Sequence, residues 1–143
     1  MIRYTDALSH LKLTDLEGFC EGWPIPISPY HLMRVLQKSD HVLVAIDEPS
    51  GRVVGFITAV SDGVISAYVP LLEVVPGHRN TGIGSELVRR MLETLRDLYM
   101  VDLCCDEELA PFYERFGFQK VQGMALRRYE RLNSLSEKIP PKT

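Results

Sequence analysis

The chain has 143 residues, of which 45% are hydrophobic and 24% are charged, so it fits one ordinary globular domain with a single core. A net charge of -3 provides no basic face for nucleic acid, and no segment approaches the length that spans a bilayer, so we expect neither partner. Three cysteines without framework or metal-ligand spacing exclude a disulfide-stapled domain and a metal site, and an N-terminus without a signal-like apolar run favours the cytoplasm.

The N-terminal third of the chain predicts a short strand and two helices. Residues 2–4 form the strand, and a capping-box pattern over residues 14–17 predicts a short helix. The segment 23–27 cannot be helical, because its two prolines each remove a donor and restrict the preceding residue. Ser28 followed by Pro29 then predicts the cap and the first residue of a second helix.

The middle of the chain is rich in β-branched and aromatic residues. Two turn sequences divide it into three strands, predicted over residues 42–46, 53–60 and 64–75. Pro70 lies inside the third strand, and proline is confined to strand edges and irregularities. We therefore expect a bulge or a break in this strand over residues 70–73.

The last third of the chain alternates helices and strands. Apolar positions at helical spacing predict a long helix over residues 83–98, and a short apolar run at 101–105 predicts a buried strand. The remaining predictions are a helix over 109–116, two strands over 118–122 and 126–129, and a polar tail over 133–143. This order predicts an α/β fold in which helices cover both faces of a mixed sheet, within one domain over residues 1–132.

The junction between the third long strand and the helix after it is the most informative part of the sequence. An extended apolar segment ends, a short glycine-bearing loop follows, and an amphipathic helix begins at once. Unpaired N–H groups at a helix start, together with the helix dipole, suit phosphate or pyrophosphate. The sequence has no P-loop motif, and Leu87 stands where a dinucleotide fingerprint needs its third glycine.

Two segments resemble the GNAT superfamily of acyl-CoA-dependent N-acyltransferases. The first is Glu-Val-Val-Pro at 73–76 followed by Arg-Asn-Thr-Gly-Ile-Gly at 79–84, which fits the family pattern R/Q-x-x-G-x-G/A. The second is Ala-Pro-Phe-Tyr-Glu-Arg-Phe-Gly-Phe at 110–118, which is similar to the penultimate helix of the family and its exit. The resemblance implies the GNAT fold, with a mostly antiparallel mixed sheet that is splayed at the cofactor site and flanked by helices.

The same resemblance implies acetyl-CoA as the cofactor. Backbone N–H groups from about Arg79 to Ser85 would bind its pyrophosphate, and the pantetheine arm would pair with the strand that carries Val74, whose neighbourhood supplies an oxyanion donor. Asp106 caps the next helix or touches the cofactor arm, and Phe112 packs on the cofactor or in the core. The full set of predicted cofactor residues is Val74, Val75, Arg79, Asn80, Thr81, Gly82, Ile83, Gly84, Ser85, Asp106 and Phe112.

Catalysis requires a base that takes a proton from the amine and an acid that protonates the leaving thiolate. Glu73 is the predicted base, but strand alternation equally allows a structural carboxylate that is turned away from the cleft. Asp62 and Tyr68 are the alternatives. The resemblance makes Tyr113 the acid, and a core tyrosine is the other interpretation. The predicted acceptor site consists of Trp23, Tyr30 and Tyr68, with an anchoring role as the alternative for Trp23.

The preferred function is therefore an acetyl-CoA-dependent N-acetyltransferase. It would act on a primary amine of a small molecule or a peptide, by direct attack in a ternary complex. The alternative is a non-catalytic module that holds acyl-CoA for sensing or assembly. Homodimers are common among GNAT relatives, so the resemblance also makes a homodimer an expectation.

Overall fold

Five strands form one mixed sheet, in the order in which they occur along the chain. The computed structural model describes residues 1–137. The strands are β1 (Ile2–Thr5), β2 (His41–Asp47), β3 (Arg52–Ser61), β4 (Ser66–Val74) and β5 (Met100–Leu103). Strands β1 to β4 pair antiparallel, whereas β5 runs parallel to β4. The predicted α/β fold with a mostly antiparallel mixed sheet is confirmed.

Helices cover both faces of this sheet. The α-helices are α1 (Pro29–Lys38), α2 (Ile83–Thr94), α3 (Ala110–Glu114) and α4 (Leu132–Leu135), and the 3-10 helices are Leu13–Leu16, Pro76–His78, Glu107–Leu109 and Tyr129–Arg131. The predicted start of α1 is confirmed, because the Ser28 hydroxyl accepts a hydrogen bond from the His31 N–H at 3.2 Å. The predicted capping box over 14–17 is wrong, because the Asp15 carboxylate instead accepts from the Lys12 N–H at 2.9 Å and starts the turn earlier. Among residues 1–137, no helix is both long and apolar enough to cross a membrane.

The sheet separates two hydrophobic clusters, which we call the α1 face and the α2 face after the helix that packs on each. Leu32 and Leu36 of α1 pack with Phe56 of β3 on the α1 face. Leu87 and Met91 of α2 belong to the cluster on the α2 face. Burial of each such side chain contributes about 1.5–3 kcal/mol relative to exposure, so these clusters hold both helices against the sheet.

Strand β4 carries the irregularity that the sequence predicts around Pro70. Between Thr58 and Val60 of β3, the paired residue on β4 steps from Leu71 to Tyr68, so β4 has one extra residue there. Proline suits such a position, because it has no N–H to give to a ladder. The bulge shifts the alternation of side chains in the second half of the strand.

Beyond the bulge, β4 loses its neighbour on one side. The parallel pairing between β4 and β5 ends at Val69 and Leu103. Residues 71–74 of β4 stay paired with β3 alone. The predicted splay of the sheet is therefore confirmed, and the edge of β4 is open where the strands part.

The two strands predicted over residues 118–122 and 126–129 are wrong. Residues 118–128 form neither strand nor helix, and the side chains of Val121 and Leu126 are 82% and 69% exposed. A strand requires the edge of another strand, and a local alternation of side chains does not specify which edge that is.

The ends of several predicted elements also shift. The long helix α2 ends at Thr94, and the helix predicted over 109–116 divides into a 3-10 turn and the five-residue α3. Within the predicted polar tail, α4 is helical, and the Leu135 carbonyl accepts a hydrogen bond from the Ser28 N–H at 2.9 Å. The rest of that tail, residues 138–143, lies outside the described residues.

Gly55 allows α2 to lie unusually close to β3. A Cβ atom at this position would lie 3.0 Å from Ile83 Cγ2, 3.2 Å from Leu87 Cδ1 and 3.3 Å from the Glu73 carbonyl oxygen, which is backbone and cannot rotate away. We expect Gly55→Ala to lower the free energy of unfolding by about 1–3 kcal/mol, measured by urea denaturation. Gly22→Ala is the matched control, because nothing lies within 4 Å of the corresponding Cβ. Equal stability of the two variants would contradict the close approach.

Candidate functional site

The N-terminus of α2 presents a row of unpaired backbone donors. The first internal hydrogen bond of the helix joins the Glu86 N–H to the Gly82 carbonyl at 3.0 Å. Within residues 1–137, the N–H groups of residues 80–85 have no acceptor, and the cap residue Gly82 has no side chain to supply one. Six consecutive free donors at the positive end of a helix dipole are suited to bind an anion.

Two residues in the left-handed backbone region turn the loop into this helix. The φ angle is 62° at Asn80 and 91° at Gly82. A side chain at Gly82 would strain the backbone although the space around it is open. At Gly84, in contrast, a Cβ would lie 3.7 Å from Phe112 Cζ and 3.9 Å from Val74 Cγ2, so this glycine brings α2 close to α3 and β4.

Several side chains of this loop and of the first turn of α2 make contacts within the protein. Arg79 Nε donates to the Val74 carbonyl at 2.9 Å, and the Thr81 hydroxyl donates to a loop carbonyl at 2.5 Å. Ile83 is buried on the α2 face, and the Ser85 hydroxyl accepts from Arg115, which follows α3, at 3.2 Å. The loop is therefore fixed in position before any ligand arrives, while its backbone donors stay free.

The N–H group of Val74 faces the opening between β4 and β5. The next residue, Val75, donates its N–H to the Val54 carbonyl of β3 at 2.9 Å. Backbone groups alternate in direction along an antiparallel ladder, so the N–H and carbonyl of Val74 are directed away from β3. The bond from Arg79 to the Val74 carbonyl agrees with this direction. A backbone donor thus lies beside the opening, as predicted for the neighbourhood of Val74, whereas Val75 has no free N–H to offer.

A cavity of about 680 Å³ occupies the space where β4 and β5 part. Trp23, Tyr68 and Glu73 line it from the α1 face, and Tyr113 lines it from α3 on the opposite face. Asp106 also contributes to its wall. The structure therefore brings together predicted site residues from both faces of the sheet in one cavity.

The Glu73 carboxylate accepts a structural hydrogen bond, and the same side chain lines the cavity. Its carboxylate accepts a hydrogen bond from the Cys20 N–H at 2.9 Å. Burial raises the pKa of Glu73, against the opposing effects of this hydrogen bond and of the Arg79 charge. A carboxylate with a raised pKa is a stronger base, so the bond to Cys20 orients a group that can still take a proton.

Tyr113 is half-buried and packs edge-to-face against the rings of Phe112 at 4.9 Å and Phe118 at 5.9 Å. Within residues 1–137, its hydroxyl has no hydrogen-bond partner. Burial, and secondarily the neighbouring Cys105, raises the pKa of the Tyr113 phenol. The phenol therefore remains protonated at neutral pH and can donate its proton into the cavity.

Other predicted site residues have different positions. Asp62 builds the turn between β3 and β4, where three backbone N–H groups lower its pKa to about 2, so it is excluded as a base. Tyr30 contacts the ring of His31 on the first turn of α1, outside the cavity. Asp106 has the cap position of a 3-10 helix but makes no side-chain cap bond, which contradicts capping as its role. Phe112 packs in the α2-face cluster.

A sequence profile of the family described as an acetyltransferase (GNAT) domain matches residues 38–120, more than half of the chain. The chain belongs to the GNAT acetyltransferase family. The resemblance found in the sequence is therefore confirmed, and the row of free donors at the start of α2 lies inside the matched segment.

Solved and curated GNAT relatives agree with this assignment. A Deinococcus radiodurans R1 protein assigned as an acetyltransferase is 45% identical, with a TM-score of 0.88 over 98% of this chain and 94% of that one. A GNAT family acetyltransferase from Streptococcus pneumoniae TIGR4 is 27% identical, with a TM-score of 0.69 over 90% of this chain and 97% of that one. The histone acetyltransferase TAP1 of Glycine max is 25% identical over 119 residues, which is 73% of this chain. The chain spans about half the length of TAP1 and of TAP2, a second soybean relative.

Sequence reasoning missed three contributors to this GNAT site. Cys20 has a φ of 65° and presents its N–H to Glu73, and burial raises the pKa of its thiol to about 12, so it is not a nucleophile. Cys104 and Arg127 line the cavity beside Tyr68. None of the three has a motif that marks it, because the folded chain alone brings them to the site.

Proposed function

We propose that this GNAT protein is an N-acetyltransferase that transfers an acetyl group from acetyl-CoA to a primary amine in a ternary complex. The observation that supports it best is the row of six free N–H groups beside the opening of the sheet. The donors suit a diphosphate, and the unpaired edge of β4 suits an extended arm that adds to a strand. A long phosphorylated ligand matches both features at once.

Acetyl-CoA supplies the acetyl thioester when it is bound, and groups of this chain match its diphosphate and its thioester. The N–H groups of residues 80–85 would hold the diphosphate. Arg79, fixed on the Val74 carbonyl, would add positive charge through its remaining guanidinium N–H groups. The Val74 N–H would bind the thioester oxygen, and this bond strengthens as negative charge develops there.

Glu73 and Tyr113 would move the two protons of the reaction. Bound acetyl-CoA would supply the acetyl group to the amine nitrogen, with the CoA sulfur as the leaving group. Glu73 would take the proton that the amine must lose, directly or through water, and Tyr113 would give its phenol proton to the leaving sulfur. Their positions on opposite faces of the sheet match this division, because the acceptor and the cofactor would then approach from different sides.

The acceptor would enter from the α1 face, past Trp23 and Tyr68. Acidic residues 106–108 stand at the start of the turn before α3 and would attract a cationic amine. We propose an amine of a small molecule or of a peptide, and the similarity to the histone acetyltransferase TAP1 supports the peptide class.

We also propose residues 1–132 as the catalytic domain and the cytoplasm as its compartment. All three cysteines are unpaired, and Cys104 and Cys105 are both exposed as thiols. Exposed vicinal thiols are compatible with a reducing environment.

A charge at the start of α2 tests the cofactor site. CoA should raise the Tm of the wild-type protein, because a ligand that binds the folded state stabilises it. In Ser85→Asp the added carboxylate complements the helix dipole, so the Tm without ligand should not fall, but CoA affinity should drop at least about tenfold through repulsion of the diphosphate. Ser85→Asn has the same size without the charge and measures the effect of bulk alone.

Thiol release from acetyl-CoA with a panel of amines completes the test. An amine-dependent release of CoA by the wild type is the expected result. If CoA raises the Tm but no amine is consumed, the non-catalytic acyl-CoA module replaces the enzyme. The cofactor site itself is refuted if CoA does not change the Tm of the wild type and if Ser85→Asp and Ser85→Asn bind CoA with equal affinity.

A further inference from the structure

The cavity beside β4 contains one positive charge that the fold itself does not use. Among residues 1–137, Arg127 is the basic residue that lines this cavity. Every ion pair in this part of the chain lies within residues 86–96, so the Arg127 guanidinium has no carboxylate partner there. A guanidinium stays charged at any pH at which the protein is folded, and its N–H groups match the two oxygens of a carboxylate. Arg127 is therefore available to an anionic group of a ligand.

The chain after Arg127 holds this residue at the entrance from the α1 face. A 3-10 helix begins at Tyr129, and Leu132 packs on the α1-face cluster. A hydrogen bond with Cys104 and burial raise the pKa of the Tyr68 phenol, whereas the nearby Arg127 charge acts to lower it. Arg127 thus lies beside Tyr68, on the side from which the acceptor would enter.

Negative charges line the same cavity without neutralising Arg127. Glu73 and Asp106 both contribute to the wall, and neither forms an ion pair with Arg127. Burial raises the pKa of Glu73, and the positive charge that opposes this effect is that of Arg79. The cavity therefore presents opposite charges at separate places, an arrangement that complements a ligand with a cationic and an anionic group.

The rest of the wall on the α1 face is apolar. Trp23 and Leu71 line the cavity and pack against the α1-face cluster, and Leu109 lines it with 47% of its surface exposed. The cavity volume of about 680 Å³ lies within the range of small-molecule sites, about 300–1,000 Å³. Separated charges with an apolar surface between them fit a small zwitterion that carries a hydrocarbon side chain.

We propose that the acceptor is a free amino acid with an apolar side chain, and that Arg127 binds its carboxylate while its amine faces Glu73. This inference rests on the proposed acetyl transfer and names its substrate class. The amine would lose its proton to Glu73 and receive the acetyl group in exchange for the CoA thiol, and Arg127 would select the substrate without moving a proton. The charge pattern favours the small-molecule acceptor, because a lysine side chain within a peptide has no carboxylate of its own.

Matched pairs of substrates test the role of Arg127. Leucine, methionine and phenylalanine are each offered as the free acid and as the amide, which keeps the amine and the side chain but lacks the carboxylate. The wild type should prefer the free acids in kcat/KM, measured by CoA release at saturating acetyl-CoA. In Arg127→Gln this preference should fall at least about tenfold, mainly through KM, because the variant has lost a charge-assisted pair with the carboxylate. The control Arg128→Gln should keep the preference, since Arg128 does not line this cavity.

Calorimetric titration of the protein with the same free acids, with and without saturating CoA, separates this inference from the proposed catalysis. Turnover of amides or of peptide lysines without a preference for free acids overturns the inference and leaves the acetyltransferase intact. A preference that is equal in the wild type and in Arg127→Gln does the same. If no amine is consumed but Arg127→Gln loses the binding of free acids, the amino-acid site stands and the catalysis is refuted. Neither turnover nor binding refutes both.

Discussion

Replacement of Tyr113 by Phe is expected to lower kcat about 10²- to 10⁴-fold, the usual contribution of a positioned general acid. The phenol has no hydrogen-bond partner within residues 1–137 and its ring packs against two other aromatic rings, so the variant keeps the packing and loses only the proton donor. The KM for acetyl-CoA should change little, because in the proposed mechanism the hydroxyl acts only on the leaving sulfur. The measurement is steady-state release of CoA at saturating amine.

The matched control for this variant is Tyr99→Phe, since Tyr99 is 85% exposed and outside the cavity beside β4. Its kcat and Tm should equal those of the wild type. A Tyr113→Phe enzyme with full turnover would remove Tyr113 from the mechanism. A variant that lost activity together with several degrees of Tm would instead assign the ring a structural role.

Replacement of Glu73 by Gln is expected to lower kcat/KM for the amine about 10²- to 10⁴-fold. Glutamine keeps an oxygen that can accept from the Cys20 N–H, so the loop around Cys20 should stay in place while the proposed base is lost. In the wild type, kcat/KM should rise with pH through the raised pKa of Glu73, because only the carboxylate accepts a proton. The rise of kcat/KM with pH should be absent from Glu73→Gln.

The same variant changes the pH dependence of stability in a predictable direction. Burial raises the pKa of Glu73 above its ordinary value of 4.5, so the folded protein binds this proton more tightly than the unfolded chain. The resulting stabilisation is fully present below pH 4.5 and is lost as pH rises through the folded pKa. Glu73→Gln should lack that decline in urea unfolding, and Glu48→Gln, in an exposed turn, should retain it. Identical pH profiles for the two variants would contradict the raised pKa.

Elements that depend on local chemistry could be predicted from the sequence. Ser28 and Pro29 specify the start of α1, and Pro70 specifies the irregularity in β4, because caps and missing donors act on their immediate neighbours. The glycine loop predicted a helix start with free backbone donors for the same reason: the left-handed Gly82 and the unpaired N–H groups of a first turn are local properties.

Properties that depend on distant parts of the chain could not be predicted. The alternation of side chains along β4 correctly places Glu73 and Val74 on opposite faces of the sheet. It does not reveal that the cavity opens to both faces, because that depends on where β5 ends. The contact between Cys20 and Glu73 joins residues 53 positions apart and needs a left-handed cysteine that no motif announces. The two strands predicted over residues 118–122 and 126–129 do not form, because the alternation of side chains in a segment carries no information about the strand edge with which it would pair.

The bulge at Pro70 determines which side chains line the cavity beside β4. Tyr68 and Glu73 are separated by an odd number of positions, so in a regular strand they would lie on opposite sides of the sheet. The extra residue cancels that mismatch and places both on the α1 face. Deletion of a single residue at 69–71 would change the composition hardly at all, yet it would divide this wall between the two sides. Lineages that retain the activity should therefore tolerate substitutions in this strand far more readily than changes in its length.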